Sequence, residues 1–387
     1  MGTLRPFTEA DIGRVAELHR GVFRVAAEPG AELDAAYRRW LTEVFLAPPC
    51  REEGVESLVH EEPGGAITGF LGVVARRMTV GGRRFVAAVS SQFVVDERSR
   101  ADLAGVKLLQ RLFAGPQDIS IADEAGNAAR SLWEALGGRT APLHSLGWLR
   151  PVRPCSLVAS YLARRRGFGP AARVAAPLAR AADALAMRLP ARALLPDRPD
   201  LREEAMTPEV LIESLPALVG RATLRPEYDL RSLRWALGRV GALGQPGGAG
   251  TGGKWGKNKQ GSGVTFTDAV LLRDARRRPV GAYVYCLHSD GVLRVPYVAA
   301  SPPMARSVLQ HLVHTAVHRG AVAVEGRLDL RLLPALSESH AVFHRRRPWF
   351  LFHARDSLLA SPFERGDAFF SPLDGELCLR FDPPPAG

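Results

Sequence analysis

Gln92-Phe93-Val94-Val95-Asp96-Glu97-Arg98-Ser99-Arg100-Ala101-Asp102-Leu103-Ala104-Gly105-Val106-Lys107-Leu108-Leu109 changes character twice within eighteen residues. It opens as a β-branched apolar run and passes through charged and small residues with no apolar periodicity. It then resumes with Leu103, Val106, Leu109 and Leu112 at helical spacing. A strand that empties through a short polar loop into a helix is the direct reading.

Upstream, Leu4-Arg5-Pro6-Phe7 reads as a short strand, and Thr8-Glu9-Ala10-Asp11 supplies a cap threonine with a carboxylate three residues on. Two helices are expected next, one carrying Ile12, Val15, Leu18 and Phe23, the other, over 35–45, carrying Tyr37, Trp40, Leu41 and Phe45. The pattern then turns to strands at 56–60 and 66–74, and Gly81-Gly82 joins 78–80 to 84–95 as a hairpin. Downstream of the central stretch come a strand at 119–122, a helix at 128–136 closed by Gly137-Gly138, and a final strand pair near 140–152. The order is β-α-α-β-β-β-α-β-α-β.

That order, with the central stretch at its joint, resembles the GNAT acyltransferases, in which a strand runs into an [RQ]-x-x-G-x-[GA] loop and a helix. The resemblance covers about the first 150 residues. It implies that Arg98, Arg100, Ala101, Leu103, Ala104, Gly105 and Val106 form the loop and helix start that bind the pyrophosphate of an acyl-CoA. Small residues let backbone N–H groups point into a concavity at a helix N-terminus, where the dipole favours an anion. Leu103 stands where the family usually has glycine. Phe93, Val94 and Val95 would offer free backbone groups to the pantetheine arm. Asn127 matches the family's Asn-led helix, and Trp133 takes the place of the tyrosine that often protonates the leaving thiolate, a task an indole cannot perform. Amine acylation needs a base near the attacking nitrogen. Asp123 and Glu124 are the leading candidates, then His144, with Ser91 and Gln92 as substrate-orienting groups.

The rest of the chain divides differently. Residues 151–199 are rich in arginine and alanine, with Leu178, Leu185 and Leu189 on one face of a helix expected to break at Pro170, Pro177 and Pro190. A packed interdomain helix is the preferred reading, and peripheral contact with an anionic membrane is the alternative. Helices over 208–220 and 230–243 precede a Gly-rich stretch, 244–263, whose P-loop look lacks the required spacing. Beyond it, strands at 264–272, 279–289 and 291–299, a helix at 305–319, a strand at 321–324, a helix near 332–337 and strands at 341–343 and 350–353 repeat the order of the first half. The expected fold class is therefore α/β with α+β-type mixed sheets: two GNAT-like domains, each a mostly antiparallel sheet flanked by helices. The expected boundaries are 1–152, a basic connector at 153–200, and 201–387. The second cofactor-loop position, Val298 to Arg306, holds two prolines and no glycine, so it is not expected to hold CoA. His311, His314 and His318 share a helix face without a carboxylate or cysteine beside them in sequence, and no metal is expected. Arg345-Arg346-Arg347 beside Trp349 reads as an exposed turn.

The chain has 387 residues, too many for one core, with 46% hydrophobic and 24% charged residues. Four scattered cysteines fit neither a disulfide framework nor a zinc ribbon, and a cytoplasmic location is expected, with the inner membrane face as the alternative. The net charge of +11 favours an anionic partner, or follows from the arginine-rich, lysine-poor composition that a GC-rich genome gives. The resemblance implies an N-acyltransferase that uses acetyl-CoA or another acyl-CoA as substrate. The acceptor would be an amine: an amino sugar or lipid-linked sugar, as in polysaccharide production, or another small molecule. The alternatives are a Fem-like transferase using aminoacyl-tRNA, or an inactive acyl-CoA-binding scaffold. Nucleic acid is otherwise not expected as a partner.

Overall fold

The protein is seen here as a computed structural model. It describes residues 2–23, 30–97, 103–163, 169–188, 196–220, 222–243, 263–345 and 348–381, without the side chains of 169–173 and 187–188. Fifteen strands are described. They are β1 (Thr3–Pro6), β2 (Leu58–Glu61), β3 (Ile67–Val80), β4 (Arg83–Val95), β5 (Ile119–Ala125), β6 (Arg139–Thr140), β7 (Gly147–Pro151) and β8 (Arg202–Ala205). There follow β9 (Leu224–Pro226), β10 (Val264–Arg273), β11 (Pro279–His288), β12 (Val292–Ala300), β13 (Ala323–Arg327), β14 (Val342–His344) and β15 (Trp349–Ala354). The helices are α1 (Ile12–Phe23), α2 (Ala31–Leu41), α3 (Ala104–Phe113), α4 (Asn127–Ala135), α5 (Pro154–Ala163) and α6 (Gly169–Arg188). The remainder are α7 (Pro208–Val219), α8 (Leu230–Ala242), α9 (Ala305–His318), α10 (Leu333–Glu338) and α11 (Ser357–Arg365).

The strands form two mixed, mostly antiparallel sheets, each flanked by helices. One runs β1-β2-β3-β4-β5-β15-β6, with β9 added beside the far end of β3; the other runs β14-β7-β13-β12-β11-β10-β8. The expected α/β class and the repeated order are what the structure shows. The partition of the chain differs from the expected 1–152 and 201–387. The first compact unit comprises 1–145, 222–263 and 347–387, and the second comprises 146–221 and 264–346. The reason is strand pairing. β7, expected to close the first sheet, pairs with β13 and β14 in the second, whereas β15 pairs with β5 and β6 in the first. A β5 edge left open would expose a row of unpaired backbone groups, and β15 covers it from Ile119 to Ala125.

Local chemistry explains the elements of the first unit. Gly81 and Gly82 have φ of +54° and +85°, the left-handed turn that matches strand twist, so β3 and β4 continue as one long hairpin. The Asp11 carboxylate accepts from the Thr8 amide at 2.9 Å and fixes the entry to α1. Tyr37 and Trp40 face inward from α2 and join Phe45, Phe70 and Phe381 in the core, where each buried aromatic stabilises by about 1.5–3 kcal/mol. The second unit has its own core around Trp148, Tyr283, Tyr285, Leu312 and Val324. In its connector, α6 does not break at Pro177. Pro170 lies in the first turn, where no amide is needed, and the helix runs on through Pro177 to Arg188. Leu189, Pro190 and residues 244–262 of the Gly-rich stretch lie outside the described residues.

Candidate active site

β4 and β5 run side by side and parallel for only three residues, Ala87 to Val89 against Ile119 to Ile121. Both strands continue past that point, β4 to Val95 and β5 to Ala125, each still paired on its outer edge. The strands therefore splay, and the facing backbone groups beyond Val89 leave the ladder. A bulge sits at the splay: Gln92 and Phe93 lie between the residues paired with Gly72 and Phe70, so two residues on β4 oppose one on β3. Gln92 carries the bulge with a φ of +54°, a conformation that costs a non-glycine residue about 1 kcal/mol or more.

Buried hydrogen bonds hold it there. The Gln92 side-chain carbonyl lies 3.0 Å from His19 Nε2, and His19 Nδ1 lies 2.9 Å from the Tyr37 hydroxyl. A carbonyl oxygen only accepts, so Nε2 carries the His19 proton and Tyr37 donates to Nδ1. Burial drives the His19 pKa down to about 4, which keeps the ring neutral. The Gln92 amide donates to the Ser91 hydroxyl at 3.2 Å, and that hydroxyl in turn hydrogen-bonds the Glu376 carboxyl group.

Glu376 comes from the far end of the sequence into the mouth of the splay. Its amide donates to Asp123 Oδ1 at 2.7 Å, and its Oε1 accepts from the Glu124 amide at 3.0 Å. Gly375 makes this approach feasible, because a Cβ there would stand 2.2 Å from Asp123 Oδ1. The segment is anchored on both sides. Asp374 accepts from the Ser371 amide at 2.8 Å and from the Tyr228 hydroxyl, while Phe381 stacks on Tyr37 with ring centroids 4.0 Å apart. Three carboxyl groups, Asp123, Glu124 and Glu376, thus meet at one strand end. Burial, then the neighbouring charges of Asp123 and Glu124, pushes the Glu376 pKa up to about 8. Arg380 pairs with Glu124. A carboxyl group poised near neutrality is suited to taking a proton.

The other expected site residues are distributed as follows. Val94 is buried in the core, while Phe93 and Val95 lean on α3. Gly105 sits where a Cβ would lie 3.3 Å from the Phe93 ring, so its smallness serves the close packing of α3 on β4. Ala104 is buried, Val106 is half-buried, and Leu103 is 57% exposed with a φ of +54°, the backbone setting in which glycine is at ease. Arg98, Arg100 and Ala101 lie outside the described residues. Asn127 opens α4 and accepts from the Trp349 indole at 2.7 Å. Trp133 is a core residue packed edge-on to Phe113. His144 is buried between Phe350 and Phe363, with its Nε2 3.0 Å from the Ala368 carbonyl, surroundings unlike those expected of a group that reaches a substrate. In the second unit His311 lies between Tyr283 and Glu203 and His314 bonds the Pro196 carbonyl, so both are engaged in packing the helix α9.

The overall fold of the chain is matched in solved structures. The protein has a GNAT fold. It is similar to a GCN5-related N-acetyltransferase from Anabaena variabilis, with a TM-score of 0.55 at 12% identity, over 92% of this chain and 73% of that one. It is also similar to a conserved protein of unknown function from Enterococcus faecalis, named a probable N-acyltransferase, with a TM-score of 0.54 at 9% identity over the same shares. No family model and no curated protein sequence matches the chain.

Reasoning from sequence missed Glu376, His19 and Tyr37. His19 and Tyr37 are indistinguishable from helix-face residues until β4 is placed beside them. Glu376 lies more than 250 residues from its partners, and no local spacing announces it.

Proposed function

We propose that the first unit transfers an acyl group from an acyl-CoA to a primary amine, with Glu376 as the general base. The observation that carries this reading is the carboxyl group of Glu376, held at the splay by the Glu124 amide and by its own amide on Asp123. The free edge of β4 past Val89 suits the amides of a pantetheine arm, which would add as a strand does. The start of α3 would face the pyrophosphate, with Arg100 as its counter-charge. The bound thioester would place its carbonyl carbon at the splay. The amine arrives as an ammonium ion, which the ionised form of Glu376, a fraction that grows as the pH approaches 8, deprotonates directly or through a water molecule. The nitrogen lone pair then attacks the carbonyl carbon, the C–S bond breaks, and the thiolate leaves, taking a proton from solvent or from the acceptor nitrogen. Asp123 acts here as the group that holds the Glu376 backbone, rather than as the base itself.

The test pairs binding with turnover. Free CoA, acetyl-CoA and a long-chain acyl-CoA are each added in a thermal-unfolding measurement, where ligand at about a hundred times its Kd stabilises by about 2.7 kcal/mol. At least one of the three is expected to raise the midpoint, and Arg100→Glu to remove that rise. Thiol release from the stabilising thioester in the presence of a diamine then follows the reaction. No stabilisation by any of the three would overturn the proposal.

A further inference from the structure

The α5–α6 hairpin of the second unit has a surface unlike the rest of the molecule. Thirteen large apolar side chains are exposed among the described residues, and six of them lie on these two helices. Val158, Tyr161 and Leu162 stand out from α5; Val174, Leu178 and Leu185, 77%, 74% and 63% exposed, stand out from α6. Positions 174, 178, 181 and 185 recur every three or four residues, so Ala181 joins the three larger side chains on one face of α6.

The charges are equally one-sided. Between residues 153 and 192 the sequence has eight arginines, no lysine and a single acidic residue, Asp183. Asp183 is buried, and its two carboxylate oxygens accept from the amides of Cys155 and Ser156 at 2.9 and 2.7 Å. It caps the start of α5 and fastens the later part of α6 beside it, which makes the hairpin antiparallel. Its charge is spent inside the hairpin. What the hairpin presents outward, among its described residues, is apolar side chains with exposed Arg180 and no exposed acidic side chain.

We infer that this hairpin docks on the surface of an anionic lipid bilayer. A second copy of the hairpin would bring arginine against arginine, and a neutral apolar partner would leave the cations without counter-charge. A bilayer rich in acidic headgroups receives both, the aliphatic side chains entering the headgroup boundary and the guanidinium groups meeting phosphate. No helix among the described residues is long and apolar enough to cross a membrane, so the hairpin lies on the bilayer.

Co-flotation of the full chain with vesicles tests the inference. Vesicles of phosphatidylcholine with about one-third phosphatidylglycerol should carry the protein, and phosphatidylcholine alone should not. Salt at about 0.5 M should weaken the association. Leu178→Glu with Leu185→Glu should lower the bound fraction about tenfold or more, and Arg180→Gln about fivefold, with unfolding midpoints unchanged because these side chains are exposed. Equal recovery of the wild type and the double variant would overturn the inference. So would equal recovery on both vesicle types, or a lipid-free dimer in sedimentation equilibrium that the double variant dissociates.

Discussion

The two sheets repeat one plan and fill it with opposite chemistry. In the first unit β4 and β5 are parallel over three residues and then part; in the second, β12 and β13 are parallel over four, Val292 to Val295 against Ala323 to Gly326, and β12 runs on to Ala300. Past the parting, the first unit gathers Asp123, Glu124 and Glu376 and starts a helix at Ala104-Gly105. The second places buried Arg327 at the end of β13, pairs Arg294 with Asp290 and Glu325, and enters its helix through Pro302 and Pro303, which have no amide to offer a phosphate. A shared topology therefore supplies the gap, and the residues that enter the gap decide whether it can do acyl chemistry.

If that contrast is right, Glu376→Gln should lower the rate of thioester consumption by about 10²- to 10⁴-fold while leaving CoA binding intact. Glu325→Gln, which removes the carboxylate paired with Arg294 inside the second unit's parallel ladder, should leave turnover unchanged, as steady-state kinetics would show. A Glu376 variant with wild-type turnover would move the base elsewhere.

The glycines beside the two gaps sharpen the comparison at the next level. Gly375→Ala drives a methyl group into the Asp123 carboxylate, and Gly326→Ala drives one to within 2.7 Å of the Trp148 ring. Each is expected to cost about 2 kcal/mol or more by overpacking, measured by denaturant unfolding. Only the first should also lower kcat, because it displaces Glu376. Equal effects on kcat would mean that the second unit shares in the chemistry.

The pH response separates the gaps again. The folded protein keeps the Glu376 proton up to about pH 8, whereas the unfolded chain releases it near the ordinary carboxyl value of 4.5. The native state thus binds more protons across that window, and its contribution to stability falls as pH rises from about 4.5 to about 8. Glu376→Gln should flatten this part of the stability profile. The smallest expected effect is at Leu103, where glycine would relieve the left-handed backbone: Leu103→Gly should stabilise by about 0.5–1 kcal/mol in thermal unfolding.

These details show what a sequence exposes. Periodicity and glycine punctuation mark the elements because helix and strand demand spacing over a few residues, as in 84–95 and Gly81-Gly82. The order of elements then points to the fold. Pairing is a long-range choice, so nothing local in 147–151 or 349–354 says which sheet each strand completes. The same holds for the site. Ser91 and Gln92 stand out in sequence because they precede the loop, and Asp123 and Glu124 because they end a strand. Glu376 acquires its meaning only when a distant backbone amide and a buried carboxylate come to meet it.

The exchange of β7 and β15 also orders events during synthesis. The first sheet has a gap between β5 and β6 until residues 349–354 emerge, more than two hundred positions after β6. Until then its central strand has an open flank, and the carboxyl group that completes the splay has not been made. The nascent first unit therefore stays partly formed until the segment from 349 to 376 has left the ribosome.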